Sequence, residues 1–306
     1  MRVSVLGLGA MGSALAVRLV AAGHAVAAYN RSDGPFTRLG DIGVVRLRRP
    51  SDAWGHGPMV VSMLADAAAI DAVTSGPHGL FTEVVPERAT LVEMSTISAS
   101  ASASIACRAS LSGVRYLRAP VSGNPSVLTA GALTIIVSGD PDVIDATMAL
   151  LGEIAPTVLR VGDGEEARVI KLALNLVLGG TAQLIAEAVA LGEAHGVGRG
   201  LLLEVMGESA VGSPFVRYKT PGLVEDDYTS TFSVRLLAKD LGLAIEAASA
   251  AGLPLPVTEL VDGLARDCVA RGGGEHDMMV LLPRLREAAQ LATGTREPFD
   301  TTSQSV

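Results

Sequence analysis

Residues 3–22, VSVLGLGAMGSALAVRLVAA, give the chain an apolar strand pattern, a glycine-rich turn and an apolar helix pattern in direct succession. The turn has the spacing GxGxxG, with glycine at Gly7, Gly9 and Gly12. In a βαβ unit, the first glycine permits a tight turn, the second lets the backbone approach a pyrophosphate, and the third lets the helix pack on the strand. The helix N-terminus adds amide donors and positive potential.

The spacing alone is weak evidence, but its strand-turn-helix setting predicts a dinucleotide site. That site comprises Gly7, Leu8, Gly9, Ala10, Met11 and Gly12.

Short β-rich runs alternate with helical patterns through the first half of the chain. This alternation predicts βαβ units that build a mostly parallel, doubly wound sheet of the Rossmann type. After the last run, almost every residue from Glu165 onward has a helical pattern. We therefore expect an α/β fold, in which an N-terminal Rossmann domain is joined by a long helix to an all-α C-terminal domain. The predicted strands are Val3–Leu8, Ala25–Tyr29, Val44–Leu47, Met59–Leu64, Leu91–Ser95, Tyr116–Val121, Leu133–Ser138 and Thr157–Val161.

The long helix, predicted over residues 165–195, carries no charge between Leu172 and Ala186. A helix that is apolar on every side must be buried, and a single small domain seldom covers one completely. The sequence therefore predicts a homodimer formed through the helical domain. The expected domains are 1–163, which binds the dinucleotide, 164–293, which binds substrate and forms the dimer, and 294–306, a flexible tail. Further helices are expected at about 200–208, 233–251 and 255–270.

Composition excludes several classes of function. A net charge of -8 disfavours nucleic acid as a partner. The 2 cysteines lie outside any CxxC spacing, and the histidines show no spacing of metal ligands, so we expect a metal-free protein of the reducing cytoplasm. Continuous apolar runs are too short for a membrane span, because the uncharged run 119–139 is broken by prolines and glycines.

The end of the second predicted strand indicates which dinucleotide is bound. An NAD site usually has an acidic residue here for the ribose 2′-hydroxyl, whereas this chain has Asn30, Arg31 and Ser32. An arginine presents donors that suit a 2′-phosphate, so NADP is favoured. Two alternatives stay open: Asp33 could reach the ribose if the turn shifted, and Arg31 could be an ordinary surface residue.

With these residues in place, the chain resembles the β-hydroxyacid dehydrogenase family along nearly its whole length. That family includes 3-hydroxyisobutyrate dehydrogenases, tartronate semialdehyde reductases and glyoxylate/succinic semialdehyde reductases, and it is related to 6-phosphogluconate dehydrogenase and to imine reductases. The resemblance implies that cofactor is bound by Met63, Leu64 and Ala65 within Val61–Ala65, by Thr96 within Met94–Thr96, and by Phe232 and Lys239, beside Asp240, on a later helix. A surface pair of Lys239 and Asp240 is the alternative.

The resemblance also implies the residues that carry the chemistry. Ala119–Gly123 resembles the family's substrate loop, with Ser122 and Gly123 receiving a carboxylate and Asn124 next to them as a further substrate contact, although the same residues could form an ordinary turn. Gly162-Asp163-Gly164 followed by Lys171 and Asn175 resembles the family's catalytic segment. Lys171 would be the general acid/base and Asn175 would assist it and contact substrate; a structural lysine reaching solvent is the alternative.

Some positions depart from the family's pattern, and they leave the substrate open. Arg118 stands where an acidic residue is usual, Asn124 replaces a glycine in the substrate-binding loop, and Leu174 replaces one of two asparagines. The expected activity is reduction of a small carboxylate-bearing aldehyde or ketone by NADPH, or the reverse oxidation. An NADPH-dependent imine reductase and a non-catalytic NADP-binding protein are the alternatives; Lys171 argues against the first because imine reductases usually have aspartate or tyrosine there.

Overall fold

The computed structural model describes residues 1–288, which form two compact units that meet between Ala173 and Leu174. This division falls inside the long helix, whereas the sequence-based boundary between residues 163 and 164 lies just before that helix begins. The predicted tail, 294–306, lies outside the described residues.

The N-terminal unit contains a 9-stranded sheet with the order β3-β2-β1-β4-β5-β6-β8-β7, in which β9 pairs with β8. Strands β1 to β6 run parallel to one another, so their carboxyl ends lie along one edge of the sheet. The predicted Rossmann sheet is confirmed. The strands are β1 Arg2–Leu6, β2 Ala25–Tyr29, β3 Val45–Arg46, β4 Met59–Ser62, β5 Thr90–Glu93, β6 Arg115–Arg118, β7 Val121–Ser122, β8 Thr134–Ser138 and β9 Thr157–Gly162.

The predicted single strand Tyr116–Val121 is wrong in one respect, because it is interrupted at Ala119 and Pro120. Proline has no N–H to donate to a ladder. The pairing nevertheless continues across the gap, since β6 and β7 both lie antiparallel to β8 and Ile136 N donates to the Pro120 carbonyl at 3.0 Å. The interruption places Ser122 and Gly123 at the end of a short edge strand.

Helices cover the sheet, and polar side chains begin several of them. Asp66, Ser98 and Asp140 each accept a backbone N–H from the first turn of the helix that follows. Ser4, Ser62 and the mostly Val, Leu and Ala side chains of the central strands are buried. The helices of this unit are α1 Ala10–Ala21, α2 Phe36–Leu39, α3 Asp52–His56, α4 Ala67–Thr74, α5 Ala99–Leu111, α6 Pro125–Thr129 and α7 Pro141–Ile154.

The long helix, α8, runs over Glu166–Ala194, close to its predicted span. The single chain does not bury it on every side. Val177, Leu184 and Leu191 are 63%, 63% and 64% exposed, because the helices of the C-terminal unit pack against the opposite side of α8. α8 is also long and apolar enough, by length and composition, to cross a membrane, a property shared with core helices.

The C-terminal unit is helical throughout its described part, as predicted. Its apolar core includes Ile185, Val189, Leu237 and Val261. Two helices, α10 at Pro214–Glu225 and α13 at Leu281–Ala288, were missed. Ser213 as the N-cap and Pro214 in the first turn of α10 are nevertheless typical of a helix start. The remaining helices are α9 Arg199–Glu208, α10 Pro214–Glu225, α11 Val234–Ala250, α12 Pro256–Cys268 and α13 Leu281–Ala288.

Candidate active site

The turn between β1 and α1 requires glycine at two positions. Gly7 has φ +94, and a Cβ on it would lie 2.4 Å from the carbonyl oxygen of Met63. A Cβ on Gly12 would lie 1.9 Å from the carbonyl oxygen of Gly7. These close approaches let α1 start directly against the end of β1, as the sequence predicts.

Gly9 has a different environment from the other two glycines. It is the N-cap of α1, it is exposed, and a Cβ on it would meet no protein atom within 4 Å. The open space therefore lies at a helix N-terminus, where unpaired amides bind phosphate. Leu8 is fixed behind this space, since its N–H donates to Asn30 Oδ1 at 2.9 Å. Ala10 is exposed and Met11 half-buried. A dinucleotide fits this arrangement.

We expect Gly9→Ala to weaken dinucleotide binding by roughly 10-fold or more without changing the melting temperature. The added methyl has no protein neighbour, but it would occupy space next to the helix amides. NADPH fluorescence titration and thermal unfolding check the two parts. Gly12→Ala is the matched control, since its methyl collides with backbone and should lower both affinity and stability. Unchanged affinity in Gly9→Ala would place the pyrophosphate elsewhere.

The end of β2 presents an exposed arginine and an aspartate that is paired with a second arginine. Arg31 and Ser32 are exposed, and Asn30 Nδ2 donates to the Ser32 hydroxyl at 3.0 Å. Asp33 forms an ion pair with Arg46 of β3, whose guanidinium lies 5.3 Å from the centroid of the Phe36 ring. Sequence reasoning assigned Arg46 no role. The ion pair with Arg46 thus engages Asp33, the carboxylate that could have bound the ribose.

The turns after β4 and β5 lie side by side at the same sheet edge. Leu64 N donates to Ser95 Oγ at 2.8 Å, which joins the two turns directly. Met63 and Leu64 are half-buried, Ala65 is exposed and Thr96 is half-buried. The structure thus brings the predicted cofactor residues of β1, β4 and β5 together.

A buried polar cluster below these turns was missed from sequence. Arg168, in the first turn of α8, is 1% exposed and forms an ion pair with Glu93 of β5, which is 0% exposed. Its Nη1 donates to the Ser95 carbonyl at 2.7 Å, and its Nε to Ser102 Oγ at 3.2 Å. A lone glutamate inside an apolar strand run was the available signal, because buried carboxylates are paired.

The charges in this cluster stabilise one another. Burial by itself would lower the pKa of Arg168, but the nearby Glu93 carboxylate raises it above its ordinary value. Burial raises the pKa of the Tyr116 phenol, against the opposing effect of Arg168. Tyr116 OH accepts from Arg168 Nη2 at 3.1 Å. Arg168 is therefore a permanent cation beside a neutral phenol.

The predicted substrate loop follows β6 and β7. Ser122 and Gly123 are exposed. Gly123 has φ +138, and a Cβ on it would lie 2.7 Å from the Leu133 side chain. Asn124 caps α6, since its Oδ1 accepts from Val127 N at 3.0 Å. The asparagine that stands here in place of the family's glycine therefore serves as the N-cap of α6.

Arg118, the other departure near this loop, is directed away from solvent. Its guanidinium forms an ion pair with Glu165, which directly precedes α8, and lies 5.1 Å from the centroid of the Tyr116 ring. Its side chain is 12% exposed. The arginine therefore joins β6 to the start of α8.

Lys171 is half-buried on α8, three residues after Arg168 and one helical turn before Asn175. This spacing places Lys171 and Asn175 on one side of the helix, as predicted. In the C-terminal unit, Asn175 is 4% exposed and its Nδ2 donates to Asp240 Oδ2.

Asp240 also contacts the adjacent lysine. Lys239 Nζ lies 2.9 Å from Asp240 Oδ1, so the pair named in the alternative is present, with the Lys239 side chain 26% exposed and Asp240 buried. Phe232 is half-buried, and its carbonyl accepts from Met278 N at 3.0 Å. Asn175, Asp240 and Lys239 form one polar group within this unit.

Comparison with known proteins assigns the chain to a family. Residues 2–162 match the family model for the NAD binding domain of 6-phosphogluconate dehydrogenase, and residues 165–285 match the model for the NAD-binding region of NADP-dependent 3-hydroxyisobutyrate dehydrogenase. The chain is 30% identical to an NAD-dependent L-serine dehydrogenase of Pseudomonas aeruginosa, over 92% of this chain and 96% of that protein.

Solved structures show the same fold. A 3-hydroxyisobutyrate dehydrogenase from Salmonella typhimurium superimposes with a TM-score of 0.85 at 24% identity, covering 92% of this chain and 99% of that one. An imine reductase from Pseudomonas sp. gives a TM-score of 0.64 at 26% identity, covering 92% of this chain and 98% of that one. With its glycine turn, sheet order and family matches taken together, the chain belongs to the β-hydroxyacid dehydrogenase family and is a nicotinamide-dependent oxidoreductase.

Proposed function

We propose that the chain is an NADP(H)-dependent oxidoreductase that interconverts a small carboxylate-bearing aldehyde or ketone and its hydroxy acid, with Lys171 as general acid/base. The observation that carries this proposal is the placement of Lys171 one turn before a buried asparagine on α8. Asn175 has its amide held by Asp240, so its orientation is fixed before any substrate binds. A non-catalytic dinucleotide-binding protein would need neither residue.

In the reducing direction, the bound nicotinamide would supply a hydride to the carbonyl carbon. Lys171 would donate a proton to the oxygen on which negative charge develops. The amide nitrogen of Asn175 carries two donors, and the contact with Asp240 uses one of them. Donation of the other to the same oxygen would stabilise the developing charge.

A carboxylate on the substrate would bind the exposed loop at Ser122 and Gly123. A hydroxyl beside a glycine with positive φ presents donors to an anion without a cation of its own. The two nearest departures from the family's pattern do not remove these groups. Arg118 is occupied by Glu165, and Asn124 by the first turn of α6.

The reaction class is tested by NADPH oxidation against semialdehydes, 2-keto acids, 3-keto acids and cyclic imines at equal concentration. Turnover of one carbonyl class well above the cyclic imines supports the proposal. Turnover of imines alone would make the chain an imine reductase, and no turnover with retained NADPH binding would make it a binding protein.

Preference for NADP over NAD is proposed from Arg31, which is exposed at the end of β2 while Asp33 is paired with Arg46. We expect Arg31→Gln to raise the NADPH dissociation constant by roughly 10- to 100-fold, since hydrogen bonds to charged groups contribute about 1.5–3 kcal/mol. NADH affinity should change little, because NADH has no 2′-phosphate. Fluorescence titration of both cofactors measures the ratio. Equal losses for the two would assign Arg31 a structural role.

We also propose that the functional form is a homodimer joined through the exposed side of α8. Val177, Leu184 and Leu191 recur every seven residues and are each about two-thirds exposed. Leu201 and Val205 of α9 are also exposed, at 61% and 57%. A second copy of the chain would cover these side chains, which a monomer leaves in water.

We expect light scattering to give the mass of two chains at micromolar concentration and Leu184→Glu to give the mass of one, since a buried carboxylate without a partner disfavours association. Leu111→Glu is the matched control, because Leu111 is 84% exposed on α5 of the other unit. It should leave the mass unchanged. A monomeric mass for the unaltered chain would contradict the proposal.

A further inference from the structure

Arg168 binds three parts of the N-terminal unit at once. Its side chain is 1% exposed, so its charge is fully removed from water. The guanidinium is paired with Glu93 at the end of β5, donates to the Ser95 carbonyl at 2.7 Å in the turn that follows, and donates to Ser102 Oγ at 3.2 Å on α5. Because its donors point in fixed directions, these contacts set the position of the first turn of α8.

Glu93 extends the same network into the cofactor turns. Its Oε1 accepts from Ser95 N at 2.7 Å, so the arginine holds both the carbonyl of Ser95 and, through Glu93, its amide. Ser95 Oγ in turn accepts from Leu64 N at 2.8 Å. The turns after β4 and β5 are thereby connected to one buried cation.

Lys171 follows Arg168 by three residues on the same helix, so the two project from neighbouring positions of one side. A second ion pair holds the same end of α8. Glu165 directly precedes the helix and binds Arg118, which ends β6 just before the substrate loop. The helix carrying Lys171 is therefore fixed against the strands that lead to the cofactor turns and to the loop.

Stability alone does not account for this arrangement. A buried ion pair is often no more stabilising than well-packed apolar side chains of the same volume. What an arginine and a carboxylate add is a specified distance and direction. We propose that Arg168, acting through Glu93 and Ser95, is a positioning residue that sets the alignment between the cofactor turns and Lys171. This inference rests on the proposed function of Lys171.

The test uses Arg168→Lys in the full-length protein. Lysine keeps the positive charge, but its single ammonium cannot reproduce the directed contacts with Glu93, Ser95 and Ser102. Enzyme in excess is mixed with NADPH and the best carbonyl substrate of the panel in a stopped-flow instrument, and the single-turnover decay of NADPH is recorded. The rate constant reports alignment, and the stoichiometry of NADPH binding, titrated on the same preparation, reports the fraction of folded, cofactor-competent protein.

Two further variants keep the result interpretable. Glu93→Asp retains the charge and shortens the carboxylate, so it disturbs the same contacts from the other side and serves if Arg168→Lys fails to fold. Arg286→Lys is the matched control: Arg286 is 9% exposed and pairs with Glu193 in the C-terminal unit. It alters a largely buried arginine-carboxylate pair outside the proposed network.

We expect the rate constant to fall roughly 10- to 100-fold in Arg168→Lys and Glu93→Asp, as small displacements of reacting groups do. The stoichiometry of NADPH binding should remain, and the rate constant of Arg286→Lys should match the unaltered chain. A fall in that stoichiometry alone, or equal rate constants in all variants, would overturn the inference and leave the proposed function standing. Absence of turnover by the unaltered chain would overturn both.

Discussion

Lys171→Ala is expected to lower turnover by about 100-fold or more while NADPH binding persists. A positioned general acid contributes roughly 10²- to 10⁴-fold, because it supplies a proton as charge develops on the substrate oxygen. Lys171 is half-buried on α8, so its removal leaves a small gap at the surface of the helix and not a core cavity. The fold should therefore tolerate alanine.

Two measurements separate loss of the proton donor from loss of the site. NADPH fluorescence titration should give an affinity near that of the unaltered chain, and steady-state assays should place the loss in kcat. Lys219→Ala is not a useful control, because Lys219 is buried and paired with Asp277 in the C-terminal unit. Arg217→Ala is a suitable control, because Arg217 is exposed on α10, the helix that also carries Lys219. It should leave turnover unchanged. Unchanged turnover in Lys171→Ala would remove Lys171 from the mechanism.

Arg168→Met should lower the free energy of unfolding of the N-terminal unit by about 3–5 kcal/mol. Methionine fills part of the volume, but Glu93 would be left as an uncompensated charge with 0% exposure. The Ser95 carbonyl and Ser102 hydroxyl would also lose a donor. The loss is large because it combines an unpaired charge with unmet hydrogen bonds.

Urea unfolding followed by tryptophan fluorescence measures this change in the correct unit, since the chain has 1 tryptophan and Trp54 is buried on α3. The double variant Glu93→Gln/Arg168→Met should recover part of the loss, because glutamine keeps an acceptor for Ser95 N without the charge. Arg46→Met breaks an exposed ion pair and should change stability by less than about 1 kcal/mol. Equal effects of Arg168→Met and Arg46→Met would contradict the argument from burial.

Patterns that depend on near neighbours were read correctly from sequence. The glycine turn, the alternation of strands and helices, and the span of α8 all follow from local spacing, and the structure has them within a few residues. The same holds for Lys171 and Asn175, whose relation is fixed by one helical turn. Such features need no knowledge of how distant segments meet.

Contacts between distant residues account for what the sequence did not predict. Glu93 and Arg168 are separated by 75 positions, and Asp33 meets Arg46 only because β2 and β3 pair side by side. An uncharged helix indicates burial without stating which chain provides it, so the sequence did not show which side chains of α8, such as Leu184, the chain itself leaves exposed. The spacing of charged residues along the sequence does not show which of them pair in the folded chain.

The contrast between the glycine turn and the end of β2 has a consequence for how such an enzyme diversifies. At Gly7 and Gly12 the backbone leaves no room for a side chain, so substitution there lowers the stability of the fold. Arg31, Ser32 and Asp33 are all exposed. Exposed positions usually accept replacement within about 0.5 kcal/mol of stability. Cofactor preference can therefore drift, or be redesigned, on a scaffold that stays constant beneath it.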